Sequence, residues 1–165
     1  IEVSQTYFVL EDAGPTVRHL IKHDLIEDSP KVFEEIIAQL AALHNLDKFH
    51  GGPQIKNVTY KDKKISFIDF EESFDSEVDI KDLQFRDLFL FLFSLSKTKR
   101  EIDYKILIKK YIELTDNKDV IQRFHQLASN AAFLMKIVKN RAVWNIAGRD
   151  VQSIYRLLEE VKNIH

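Results

Sequence analysis

The sequence predicts an α+β chain that is predominantly helical, and three patterns predict it. Apolar residues recur at helical spacing, as in Phe33, Ile36, Ile37, Leu40 and Leu43. One segment, residues 80–95, is apolar all round and runs from Leu88 to Phe93 without a polar break. Two short runs rich in β-formers, residues 57–60 and 65–68, flank the charged tip Lys61-Asp62-Lys63-Lys64 and read as a hairpin. At 165 residues, 45% of them hydrophobic, the chain suits one domain with its own core.

Residues 6–10 (Thr-Tyr-Phe-Val-Leu) read as a buried strand, ended by Glu11-Asp12-Ala13-Gly14-Pro15. Residues 16–26 form an amphipathic helix with Pro15 near its first position. Its His19 and His23 share a face at i, i+4. Zinc would need a third ligand that the pattern lacks, so two solvent-facing histidines are expected. Ser29 and Pro30 open the next helix as N-cap and first residue, and it runs out near Asp47. Then comes His50-Gly51-Gly52-Pro53, a tight turn holding two of the four glycines and one of the three prolines. The hairpin follows, then an acidic link over residues 73–79. Residues 80–95 read as a central helix, with a buried strand over 88–93 as the rival. Further helices are expected over about 103–114, 118–143 and 150–164, separated at Asp116-Asn117 and Gly148, which makes about six. Arg141 and Arg149 are assigned to solvated faces.

Lys plus Arg number 24 against 26 acids, and no face is obviously basic, which disfavours non-specific nucleic-acid binding. The absence of cysteine excludes thiolate catalysis, Cys-ligated zinc and disulfides, and makes a cytoplasmic location the default expectation. The apolar runs are too short for a membrane span. The chain begins Ile1-Glu2-Val3 and its one methionine is Met135, so it reads as part of a longer protein.

The residues with chemistry in them lie between positions 50 and 72. His50, Asn57 and Asp69 occur in that order, in His50-Gly51-Gly52-Pro53-Gln54-Ile55-Lys56-Asn57 and Ile68-Asp69-Phe70-Glu71-Glu72. The hairpin would bring Asn57, at the start of one strand, to Asp69, at the end of its partner. With the strand before Glu11, the Leu43-His44 helix end and the buried helix, this ordered set resembles protein-kinase-like phosphotransferases. Their signature is His-x-Asp, four residues, Asn, then Asp-Phe-Gly. The chain is most similar to the small atypical bacterial members: RIO-type kinases, lipopolysaccharide (Kdo) kinases and aminoglycoside phosphotransferases. It departs from them at Gly52, which stands in place of the catalytic Asp, and at Glu71, which replaces the glycine.

The resemblance implies a kinase-like C-lobe over residues 15–165, with residues 1–14 as the hinge strand and linker of a missing N-lobe. It implies ATP and Mg²⁺ as cofactors, with adenine held by backbone groups of Glu11 and Ala13. Asn57 and Asp69 would hold the metal, since Mg²⁺ takes oxygen ligands. His50 would fix the two loops against each other, Lys56 would neutralise γ-phosphate charge or face solvent, and Asp87 would accept from backbone amides of the loop. Glu71 or Glu72 would add a carboxylate or else make a salt bridge or hairpin-end hydrogen bond, and Asp47 is a weak substitute base. The implied reaction moves the γ-phosphate to a hydroxyl of an unidentified acceptor. The alternative is a pseudokinase that binds nucleotide or a protein partner without transfer, and Gly52 points that way. A third reading, from another class, is an all-helical adaptor with a decorative hairpin. The family's Gly-rich loop and phosphate-pairing Lys lie upstream of the hinge, so these 165 residues alone are expected to be inactive.

Overall fold

The computed structural model describes residues 2–3, 8–9, 11–70, 78–131, 148–162 and 164. Six helices and two antiparallel two-stranded ribbons occur among them, so the fold is α+β and mostly helical. The first ribbon joins β1 (Glu2–Val3) to β2 (Phe8–Val9), with Val3 opposite Phe8. The rest of the expected strand over 6–10 lies outside the described residues, and β1 is an addition to the expected order. Two residues are too few to show a period in sequence.

Helix α1 (Val17–Lys22) starts at Thr16, whose hydroxyl accepts from the His19 N–H at 3.2 Å. Pro15 therefore precedes the cap instead of entering the helix. The helix also stops short of residue 26, because Asp24 takes a left-handed φ of 58°. His19 and His23 are exposed, as expected. In α2 (Ser29–His44) the cap is Asp28 and not Ser29: the Asp28 carboxylate accepts from the Lys31 N–H at 3.1 Å. The helix ends at His44, and one further turn, closed by the Asp47 N–H on the His44 carbonyl at 3.0 Å, leads toward the loop. Val32, Phe33, Ile36, Ile37, Leu40 and Ala41 form its buried face, which packs against α4 (Tyr104–Thr115).

Strands β3 (Val58–Lys61) and β4 (Lys64–Phe67) pair with Val58 opposite Phe67. Asp62 and Lys63 between them have φ of 51° and 61°, the two left-handed residues of a type I′ turn. Helix α3 (Ile80–Ser96) is capped by Asp79, which accepts from the Lys81 N–H at 2.8 Å. It settles the rivalry over residues 88–93 in favour of a helix. Leu88, Phe91, Leu92 and Leu95 are fully buried, whereas Phe85, Phe89 and Phe93 are only half-buried, so the helix is not enclosed on every side. Helix α4 is capped by Asp103 and closed by Asp116 at φ 50°. Next come α5 (Asp119–Asn130) and α6 (Arg149–Val161), the latter following Gly148 and packing on α3, α4 and α5. The remainder of the expected 118–143 helix, with Arg141, and the Arg149 side chain lie outside the described residues. No helix among the described residues is long and apolar enough to cross a membrane.

The linker before α1 is fastened to the hairpin. Tyr60 N–H donates to the Pro15 carbonyl at 3.1 Å, Thr16 bridges Thr59, and the Lys61 ammonium meets Asp12 at 3.1 Å. The Gly14 N–H bond and the Lys61 charge hold the Asp12 carboxyl below its usual range. Gly14 adopts φ +83°, and a Cβ there would lie 2.6 Å from the Lys61 Cβ. Both the backbone angle and the contact require glycine. Gly14→Ala is therefore expected to lower stability by about 1–3 kcal/mol in denaturant unfolding. An unchanged midpoint would show that the linker does not rest on the hairpin.

Candidate functional site

Helix α3 carries polar residues where its pattern is otherwise apolar. Gln84, Asp87 and Ser94 share a line along the helix with Phe91, at spacings of three, four and three, and all three polar side chains are buried. Each is bonded to the backbone of the segment leading through the turn. Gln84 donates to the carbonyls of His44 (2.8 Å) and Lys48 (3.3 Å). The Asp87 carboxylate accepts from the N–H of His50 at 2.5 Å and of Gly51 at 3.0 Å. Ser94 accepts from the Ile55 N–H at 3.0 Å. Arg86 adds a bond to the Gly51 carbonyl. The helix is thus a ruler along which the loop is laid.

Asp87 has no exposed surface, and a third donor faces it. His44 Nε2 lies 3.3 Å from its Oδ2, and His44 Nδ1 lies 2.6 Å from the Tyr111 hydroxyl. Tyr111 O–H donating to Nδ1 and Nε2–H donating to Asp87 satisfies the three groups with one tautomer. Burial, then the Asp87 charge, pushes the Tyr111 phenol above its ordinary value, which keeps it a donor.

Within the turn, His50 is fully buried and its Nδ1 accepts from the Gly52 N–H at 3.2 Å, which places the ring proton on Nε2. Its ring stacks on Phe70, with centroids 4.3 Å apart, and meets the Phe67 edge at 5.4 Å. His50 therefore joins the turn to the far end of β4. Gly51 takes φ 93°, a left-handed angle suited to glycine. Gly52 is buried, and its carbonyl accepts from Gln54 N–H at 2.7 Å and from Asn57 Nδ2 at 2.9 Å.

Asn57 and Asp69 occupy the open end of the hairpin. The Ile68 N–H donates to the Asn57 carbonyl at 2.9 Å, continuing the ladder one step past Phe67, and Asp69 is the next residue. Asn57 is buried and uses its side-chain N–H on Gly52, and its Oδ1 makes no hydrogen bond among the described residues. Asp69 is exposed at φ 61°, a left-handed angle that an Asp tolerates better than most residues, and it makes no ion pair among the described residues. Lys56 is exposed, beside the buried Ile55. Glu11 is exposed and Ala13 half-buried, both in the linker. Asp47 is exposed at φ 51°. Glu71 and Glu72 lie outside the described residues. No group of three or more His, Cys, Asp or Glu side chains is placed to hold a metal among the described residues.

Comparison with known proteins adds one relative. The chain is similar to an uncharacterized protein of Haemophilus influenzae, 29% identical over 164 residues. The match covers 94% of this chain and 64% of the relative, so the chain spans under two thirds of that protein's length. No protein-family description matches the chain, and no solved structure matches it.

His44, Tyr111, Gln84 and Ser94 are the supporting residues that sequence reasoning left without a role. For Gln84 and Ser94 a signal existed: polar residues in register on an apolar helix are buried and need partners. Asp87→Asn replaces an acceptor facing three donors with a group that must turn an N–H₂ toward some of them. It is expected to cost about 2–4 kcal/mol in denaturant unfolding. A loss below about 0.5 kcal/mol, within the range of an ordinary surface change, would mean that the carboxylate does not hold the turn.

Proposed function

We propose that this chain is the C-terminal lobe of an atypical kinase-like phosphotransferase, which in its full-length form binds ATP with Mg²⁺ and moves the γ-phosphate to a hydroxyl. The observation that supports this reading best is the set of bonds from Asp87 to the His50 and Gly51 amides, which fixes the turn preceding Asn57. Phosphoryl transfer asks a protein mainly for positioning and charge stabilisation, and rigid placement of a short polar loop suits that demand. The residues at the hairpin end fit a hard cation: the Asn57 Oδ1 and the exposed Asp69 carboxylate are both oxygen donors. Bound Mg²⁺ would neutralise charge on the phosphates. In the reaction the acceptor oxygen bonds to the γ-phosphorus, the bond from phosphorus to the β–γ bridging oxygen breaks, and ADP leaves. The hydroxyl proton passes to solvent, because Gly52 offers no side chain and the His50 Nδ1 is occupied. A loose transition state tolerates a weak base. Lys56 is free to meet the transferred phosphate, and the linker with Glu11 and Ala13 would border adenine.

Gly52 favours a second reading, a pseudokinase that binds nucleotide and acts on a protein partner without transfer. An all-helical adaptor fits less well, since the hairpin is bonded to both the linker and the turn. In calorimetric titration of the full-length protein, ATP is expected to bind only with a divalent cation. Asp69→Ala should weaken that binding by about tenfold or more, as loss of a metal-orienting group does. Undiminished affinity would remove Asp69 from the site. If Gly52→Asp, checked for folding by circular dichroism, raises ATP turnover strongly, the fold is competent and lacks only the base; equal, measurable turnover in both proteins points to a different base, and no turnover in either favours the pseudokinase.

A further inference from the structure

On another side of the turn the chain forms a groove of about 890 Å³ whose walls come from four separate segments. Arg18 and Lys22 project from α1, Lys56 from the turn, and Lys97, Lys99 and Arg100 from the end of α3 and the residues after it. Against these six cations stand two carboxylates, Asp24 and Asp150. Both are already engaged: Arg100 pairs with Asp24, and Lys97 meets Asp150 at 2.9 Å. Lys97 also sits over the Phe93 ring at 4.1 Å. Arg18, Lys22, Lys56 and Lys99 have no ion pair among the described residues, and all four are exposed.

A chain whose formal net charge is −2 thus gathers a quarter of its Lys and Arg in one concavity. Like charges gathered in one groove repel in the absence of a counter-charge, and a concave site focuses their field. The volume is that of a small-molecule site, within the range of about 300–1,000 Å³. The chain as a whole is mildly acidic, which does not favour the extended basic face that follows a nucleic-acid backbone. We propose that this groove binds a small organic phosphate carrying more than one negative charge. Arg18 supplies a planar fork for phosphate oxygens, and Lys22, Lys56 and Lys99 supply point charges. The two existing ion pairs fix Lys97 and Arg100 at the rim. The site needs neither Asp69 nor a metal and shares only Lys56 with the proposed nucleotide site, so loss of Asp69 distinguishes the two.

The test titrates the full-length protein with inorganic pyrophosphate in EDTA and low salt. Binding is expected, and it should weaken as salt is raised, because about 10 Å of screening length at 0.1 M shortens the reach of the field. Arg18→Gln/Lys99→Gln, two exposed substitutions on different segments, should weaken it by about tenfold or more, on the scale of two lost charge-assisted bonds. Asp69→Ala should leave it unchanged, which separates this site from the hairpin-end site. A sedimentation arm uses phosphatidylcholine vesicles containing phosphatidic acid. No pyrophosphate binding in low salt, equal affinity in the double variant, or binding to the vesicles alone would each overturn the assignment.

Discussion

One buried carboxylate sets the geometry of this protein. Asp87 is removed from water on the inner face of α3, and three groups supply what water would have given it: two backbone amides of the turn and the ring of His44. An isolated buried charge costs several kcal/mol, and leaving these donors unmet would cost more. The turn is therefore not free to drift from the helix. Gln84 and Ser94 extend the same restraint to either side, over ten helical residues or about 15 Å of rise.

From that restraint the rest of the polar end follows. The His50 ring, held by its own neighbour's amide, stacks on Phe70 and so brings the end of β4 to the turn. Asn57 is drawn inward by Gly52, and the Ile68 N–H fixes the strand beside it. Asp69, at a left-handed angle just beyond, is exposed and makes no ion pair among the described residues. The tight inner turn and the oxygens at the hairpin end are two results of one arrangement. The apolar core beneath, with α2 on α4 and α6 spanning α3, α4 and α5, is ordinary helical packing and serves as its base.

Much of this was legible in the sequence. The apolar stripe of α2 gave its helix because burial has a period that residue types reveal, whereas the unbroken run in α3 has no period and left a strand as its rival. The hairpin tip was legible from its charged residues, whereas the bonding of Asp87 to loop amides was implied by the kinase-like resemblance alone, with an exposed Asp in the first turns of a helix as the other reading. Cap identity was not: Asp28 and Ser29 are both good caps, and only the chain's approach decides which oxygen reaches the first amides. The length of α1 was lost for a similar reason, since Asp24 ends it by backbone angle without Gly or Pro. The basic groove was illegible because its cations come from segments up to some eighty positions apart. The tie between His44, Tyr111 and Asp87 is also tertiary, joining three helices that no local pattern connects.

Native-state hydrogen exchange at two amides tests the central claim most directly. His50 and Gly51 lie outside any helix or strand, where amides ordinarily exchange through small local openings. If the Asp87 carboxylate holds them, both N–H groups should exchange only through openings close to global unfolding, alongside the core of α3. Exchange at the rate of neighbouring loop amides, such as that of Lys48, would contradict the account.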